Sequence, residues 1–167
     1  MCIIVTCAAR TIEFDGKTYP CRSGQAGTAD KRAGREGDKK TPLGQYHLRF
    51  GLYRADRLAR PHSALNLRPM RRDDGWCDAP DNPAYNRFIR LPYKASHEAL
   101  WREDAAYDII LVMSHNDSPP EAKLGSAVFI HIMQVDQRQT LGCIALSPDT
   151  MIALLAQAHC GQPITIM

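Results

Sequence analysis

GSAVFIHIMQVDQRQTLGCIALSPD, residues 125–149, is the stretch on which the fold is read. A short apolar run, Ala127-Val128-Phe129-Ile130, leads into His131. The run is too short for a helix and contains β-branched and aromatic residues, so it reads as a buried strand over 127–132. A polar loop from Gln134 to Gln139 turns the chain. Thr140-Leu141-Gly142-Cys143 then opens a second apolar run, Ile144-Ala145-Leu146. Ser147-Pro148-Asp149 marks a helix start, with Ser147 as N-cap and Pro148 in the first position. If adjacent strands bring residues 131 and 143 together, the imidazole can pair with the thiol, lower its pKa and hold thiolate near neutral pH. Gly142 lets a substrate carbonyl approach, and the amide N–H of Cys143 can face a developing oxyanion. A core histidine and a buried thiol are the competing reading of the same spacing.

Outward from this stretch the chain reads as mostly β. Cys2–Thr6 is a first strand, and Thr11–Phe14 and Lys17–Cys21 flank an Asp15-Gly16 hairpin turn. Residues 23–40 form a glycine-rich loop ending in a Thr41-Pro42-Leu43-Gly44 turn. Gln45–Tyr53 alternates polar and apolar residues, as a strand with one buried face does. Residues 54–90, punctuated by Pro61, Pro69, Pro80 and Pro83, read as ordered loops in which Trp76 and Tyr85 wall a pocket or pack beneath the loop. Ser96–Arg102 reads as a short capped helix and Tyr107–Met113 as a buried strand. A helix over Thr150–His159 is stopped by Gly161, and Pro163–Met167 is a last strand. Cys160, at that helix end, is expected to be buried. With no repeat, low-complexity tract or linker, residues 1–167 read as one domain.

The bulk numbers fit that reading. A chain of 167 residues, 44% hydrophobic and 23% charged, can bury a core without staples. Its formal net charge of +3 is too mild to point to nucleic acid, and the basic stretch 31–40 is diluted by Asp30, Glu36 and Asp38. No run reaches the ~20 apolar residues of a membrane span. The first ten residues lack the basic start of a secretory leader, so a cytoplasmic protein is the expectation, or an envelope protein whose leader has been removed. The six cysteines are scattered and include no C-x-x-C pair, which argues against a structural zinc and for reduced thiols. No metal or organic cofactor is implied.

Taken together, these motifs resemble the L,D-transpeptidase catalytic domain, the YkuD family. That family has a histidine at the end of an apolar strand, followed by Ser/Thr, one residue, Gly and Cys. Gly125-Ser126-Ala127-Val128-Phe129-Ile130-His131 and Thr140-Leu141-Gly142-Cys143-Ile144 fit the pattern. Upstream, Gly37-Asp38-Lys39-Lys40-Thr41-Pro42-Leu43-Gly44-Gln45-Tyr46 resembles the family's G-D-x-x-T-P-x-G-x-[FY] element. The resemblance implies a β-sandwich of mixed sheets, mainly β with one or two helices. It implies Cys143 as nucleophile and His131 as general base, oriented by a backbone carbonyl. Thr140 would support the loop and Gly142 the oxyanion site.

Three positions depart from the pattern. Ile132 stands where the family commonly has Gly, the loop from His131 to Thr140 is short, and Ala145 replaces a frequent Arg. Another cation must then hold a substrate carboxylate: Arg71 and Arg72 beside Trp76, or Arg22 and Arg35. Ser114-His115-Asn116-Asp117 ends a strand; His115 and Asn116 are site candidates, and Asp117 reads as a turn residue. His47, His62, His97 and His159 read as surface or packing residues. The implied reaction cleaves the amide after the L-centre of a diamino acid in a murein peptide. Hydrolysis, an L,D-carboxypeptidase releasing D-alanine from a muropeptide or nucleotide-linked tetrapeptide for recycling, is the expectation. Cross-linking or D-amino acid exchange by a transpeptidase is the alternative, and a non-catalytic peptide-binding module is another. A cysteine protease of unrelated type is disfavoured, because no papain-like His-Asn spacing is present.

Overall fold

The predicted hairpin is present. Asp15 and Gly16 both take positive φ, as a two-residue turn of this kind requires, and join β2 (Thr11–Phe14) to β3 (Lys17–Arg22). The computed structural model describes residues 2–134 and 139–167. β1 (Ile3–Thr6) pairs with β2 and, in parallel, with β13 (Pro163–Ile166). The strand that follows the glycine-rich segment is longer than expected. β5 spans Thr41–Tyr53, so the Thr41-Pro42-Leu43-Gly44 segment is strand and not a turn. Its start is held in parallel by β4 (Thr28–Asp30), a short strand inside the expected loop, and by antiparallel pairing with β13. Long-range pairing overrides the local Pro and Gly signal.

The second half of β5 pairs with β10 (Ile109–Met113), which pairs with β11 (Phe129–Ile132). β11 runs parallel to β12 (Ile144–Leu146), and β12 joins β3. One mixed sheet therefore runs β10-β11-β12-β3-β2-β1-β13-β5, and the β5–β10 pairing closes it. β6 (Leu67–Pro69) adds to β5 in parallel. The enclosed core takes Ile3, Val5, Ile12 and Phe14 from one side and Ile109, Leu111, Ile130 and Ile144 from the other. α1 (Pro148–Leu155) packs Met151, Leu154 and Leu155 into it. Ser147 caps that helix by accepting from Thr150 N–H, as expected, but the helix ends at Leu155 rather than His159, and Cys160 beyond it is exposed.

A second, three-stranded sheet comes from the region read as loops and helix. β7 (Asp74–Cys77) lies between β8 (Phe88–Arg90) and β9 (His97–Ala99). Strand pairing of His97 with Cys77 and of Glu98 with Trp76 takes the place of the helix expected over Ser96–Arg102. This small sheet covers the outer face of β10 and β11. Ile110, Val112 and Phe129 point that way and pack with Trp76, Leu100 and Tyr107. The continuous apolar run of β10 follows: both its faces are buried, so no polar residue alternates, and in β11 only His131 interrupts the pattern.

Candidate active site

Strand parity places the site. In β11, Ile130 and Ile132 face the closed core, so Phe129 and His131 face the small sheet. In the neighbouring strand Ile144 and Leu146 face the core, and Ile130 opposes Ile144 while His131 opposes Ala145. Cys143 thus stands on the same face as His131, one diagonal step away, at about 7–8 Å between Cα atoms. Both line a cleft of about 510 Å³ together with Glu98, Arg102, Tyr107, His115 and Lys40.

The loop before Cys143 is anchored on both sides. Thr140 Oγ1 donates to Cys143 O at 2.6 Å and accepts from Gly142 N–H at 3.1 Å. The Thr140 backbone exchanges hydrogen bonds with Ser23 O and Gln25 N–H. Thr41, fully buried, donates to Gly142 O at 2.9 Å and accepts from Gly24 N–H at 2.8 Å. Gly142 has φ +134°, and a Cβ there would lie 2.9 Å from Lys40 O. Glycine is required at 142 because the Lys40–Thr41 backbone passes too close for a side chain.

The thiol does not meet the imidazole. Cys143 Sγ donates to Ala127 O at 3.2 Å and accepts from Phe129 N–H at 3.4 Å. His131 is held by its Nδ1–H, which donates to Ile132 O at 2.9 Å, so the backbone carbonyl expected to orient it does so. This bond assigns the tautomer and leaves Nε2 unprotonated. The resting geometry gives the thiol no imidazole partner that would favour the expected thiolate. Burial pushes the Cys143 thiol up to about 12, against the hydrogen bond from the Phe129 amide and aided by the Glu98 charge. Burial, and then the nearby Arg102 charge, hold His131 below its usual value against the Ile132 hydrogen bond. Burial thus favours the neutral form of both groups at rest.

Neutrality at rest sets the reactivity of the thiol. At pH 7 a thiol titrating near 12 is ionised to only roughly one part in 10⁵. In the ligand-free protein, iodoacetamide is expected to label the exposed Cys2 and Cys160 before Cys143, with peptide mapping by mass spectrometry as the readout. First labelling at Cys143 would mean that the thiol is already activated.

Of the other candidates, His115 lines the cleft, is 5% exposed and stacks edge-on to Tyr46. Burial lowers it to about 4. A buried neutral histidine stabilises the fold above the unfolded value near 6.5, and that contribution is lost as pH falls from there through about 4. Its full size is about 3 kcal/mol. Thermal melts from pH 7 to 4 should therefore fall less steeply in His115→Gln than in the parent.

Of the remaining sequence candidates, all but Arg35 lie outside the cleft. Asn116 organises its own loop, donating to Glu121 O and Gly125 O. Trp76 is buried against Phe129 and donates its indole N–H to Asn86 at 2.8 Å. Arg72 lies over Trp101, and the Arg71 backbone binds Asp74. Arg22 donates to Gln134 O, and Asp117 pairs with Arg49, as a turn residue does. The loop expected from Gln134 to Gln139 falls, at 135–138, outside the described residues. Arg35 does line the cleft, with His97, Lys39, Lys40 and Arg102.

Sequence reasoning missed Glu98, Arg102 and Tyr107. Tyr107 OH donates to Glu98 Oε1 at 2.6 Å, and its ring meets His131 edge-to-face at 5.4 Å. Their signal is hidden because the segment carrying Glu98 reads locally as helix. Thr41 is visible within the quoted motif, but its bond to the cysteine loop is not. No metal-binding cluster of His, Cys, Asp or Glu occurs among the described residues. No helix among them is long and apolar enough to cross a membrane.

Comparison with known proteins bears on the fold and family. Bd1075 of Bdellovibrio bacteriovorus is 16% identical with a TM-score of 0.52, over 99% of this chain and 46% of that one. An L,D-transpeptidase from Mycobacterium smegmatis is 15% identical with a TM-score of 0.44, over 99% of this chain and 58% of that one. L,D-transpeptidase 1 of Mycobacterium tuberculosis is 14% identical with a TM-score of 0.43, over the same shares, 99% and 58%. The chain thus spans about half the length of these solved structures. No curated protein matches it significantly. The sequence pattern of the L,D-transpeptidase catalytic domain, YkuD, matches residues 3–166, and with the mostly β fold of mixed sheets around Cys143 and His131 the chain belongs to that family.

Proposed function

We propose that the protein is a cysteine-dependent L,D-carboxypeptidase that removes the terminal D-alanine from a murein tetrapeptide. The observation that carries the reading is the placement of Cys143 and His131 on one face of adjacent strands at the wall of a single cleft. In this reaction Cys143 Sγ leaves Ala127 O and turns to His131. Nε2 takes the thiol proton as sulfur attacks the scissile carbonyl. Gly142 N–H is already bound to Thr140 Oγ1, so the Cys143 amide is the donor left for the oxyanion. The C–S bond forms, the C–N bond breaks, and the imidazolium returns its proton to the departing D-alanine amine. Water then attacks the thioester with His131 again as base, releasing a tripeptide carboxylate and the free thiol.

Ionisation is tied to substrate in this scheme. The resting pair is neutral, and the thiolate–imidazolium pair forms only as the attack develops. Water is taken as the acceptor, and the cleft of about 510 Å³ has the size of a site for one small ligand. The soluble substrate is a tetrapeptide, free or joined to a sugar or nucleotide. The cations on the cleft wall, Arg35, Lys39, Lys40 and Arg102, are where its carboxylates would be held in the absence of arginine at 145.

Mass spectrometry of the protein incubated with a disaccharide-tetrapeptide, with and without D-methionine, tests this. Loss of one D-alanine in water alone is the expected result. Exchange for D-methionine, or dimer formation, would make it a transpeptidase. An unchanged tetrapeptide that nonetheless binds would leave a peptide-binding module.

A further inference from the structure

His131 has a backbone carbonyl behind it and, among the described residues, no carboxylate hydrogen-bonded to it, yet it must become an imidazolium if it is to act as base. The side chain packed on it is Tyr107, 7% exposed, with ring centroids 5.4 Å apart at 68°. Tyr107 sits at the end of a 3₁₀ turn, Ala105–Tyr107, just before β10. Its hydroxyl reaches across to the small sheet and donates to Glu98 Oε1 at 2.6 Å. Glu98 is 4.0 Å from Arg102, whose guanidinium lies 5.0 Å over the Tyr107 ring. Glu98, Tyr107 and His131 all line the cleft.

We propose that Tyr107 is a positioning residue for His131 and that Glu98 acts through it, so that the phenol–carboxylate pair supports the imidazolium as an acidic third member would directly. An edge-to-face contact, with the Nδ1 bond to Ile132 O, fixes the plane of the imidazole and leaves Nε2 free to take a proton. A phenol whose proton is shared with a carboxylate is more electron-rich, and an adjacent cation gains from that. The small sheet thereby becomes part of the catalytic apparatus: β9 carries the charge, and the pairing of β9 with β7 sets its position.

Among the described residues, the charged and titratable groups around His131 come from the neighbouring segments. Tyr107 faces it from the 3₁₀ turn, Arg102 and Asp104 from the segment before that turn, and Cys143 from the lead into β12. Glu98 stands behind Tyr107 on β9, and Arg22 of β3 stands opposite Ala145. Arg102 and Asp104 bind each other through two guanidinium nitrogens. Glu98 is then the negative group whose hydrogen bond leads back to the imidazole.

This inference rests on His131 acting as the base of the proposed reaction, but its test uses no substrate. Imidazole titration by ¹⁵N NMR is followed in the parent, Glu98→Gln and Tyr107→Phe, with the His131 signal assigned by difference from His131→Gln. Both test variants keep the packed shape. Each is expected to lower the His131 pKa by about half a unit or more, a threefold loss of imidazolium at a fixed pH. A smaller drop, no change or a rise in both variants would overturn the proposal. If one variant fails to fold, the other decides. A tetrapeptide left uncut would overturn the proposed reaction and leave the titration result standing.

Discussion

Cys143→Ala is expected to lower turnover of the tetrapeptide by about 10⁴-fold or more. Its melting temperature should stay within a few degrees of the parent. The large loss follows from the absence of any substitute nucleophile. Cys143 is the only cysteine among the described residues of the cleft; Cys7, Cys21 and Cys77 are buried elsewhere, and Cys2 and Cys160 are exposed. The oxyanion donor and the histidine would remain, so a small residual rate with water as nucleophile is expected. The small stability cost follows from the local bonds. The thiol donates only to Ala127 O and accepts one long bond from Phe129 N–H. Steady-state rates measured beside a thermal melt check both halves. Retention of more than a few per cent of activity in a folded Cys143→Ala protein would sink the nucleophile assignment.

Thr41→Val is expected to be the most damaging conservative change outside the reacting groups. Valine matches threonine in shape but cannot donate to Gly142 O or accept from Gly24 N–H. Both partners would be left without that bond in a buried place, at about 1–3 kcal/mol each, for a total of roughly 2–6 kcal/mol. Packing cannot relax to restore them. A Cβ added at Gly24 would lie 2.5 Å from Lys39 O, so the backbones here are already in close contact. The same bond fixes Gly142 and hence the Cys143 amide. A loop released by even 1 Å loses about 10²-fold in rate. Thr41→Ser keeps the hydroxyl and should restore most of both losses. Chemical denaturation and kcat for the pair provide the check, and equal stability of Thr41→Val and the parent would remove the anchor from the account.

The histidine strand and the cysteine turn are legible because their residue types already record the constraint that distant partners impose. The apolar run of β11 can be satisfied only by burial on both faces, and a glycine must precede Cys143 where Lys40 O comes within 2.9 Å of a Cβ. Ser147 and Pro148 likewise announce α1. What is not legible depends on partners distant in sequence. Thr41-Pro42-Leu43-Gly44 reads as a turn until β4 and β13 pair with it. His97-Glu98-Ala99 reads as helix until β7 offers an edge. Misreading that segment hides Glu98, and with it the tyrosine–histidine contact. The charge state of the site is the other loss. A histidine near a cysteine suggests an ion pair, but burial favours the neutral form of both groups, and burial of this kind is not read from spacing.

The closed sheet has a consequence for the order in which the molecule is made. Ile3 lies opposite Ile164, so the first strand finds one of its two neighbours only when the last has left the ribosome. Until then β1, β2 and β3 form a hairpin assembly with an open edge and an uncovered apolar face, a species prone to associate with its neighbours. The long gap between these partners also makes closure a late, entropically costly step, which places the domain among slow folders. The cysteine loop hangs on β3 and β5 alike, through Ser23, Gln25 and Thr41. Assembly of the reactive centre is therefore expected to coincide with closure of the ring, so that a nascent chain carries the thiol but not its environment.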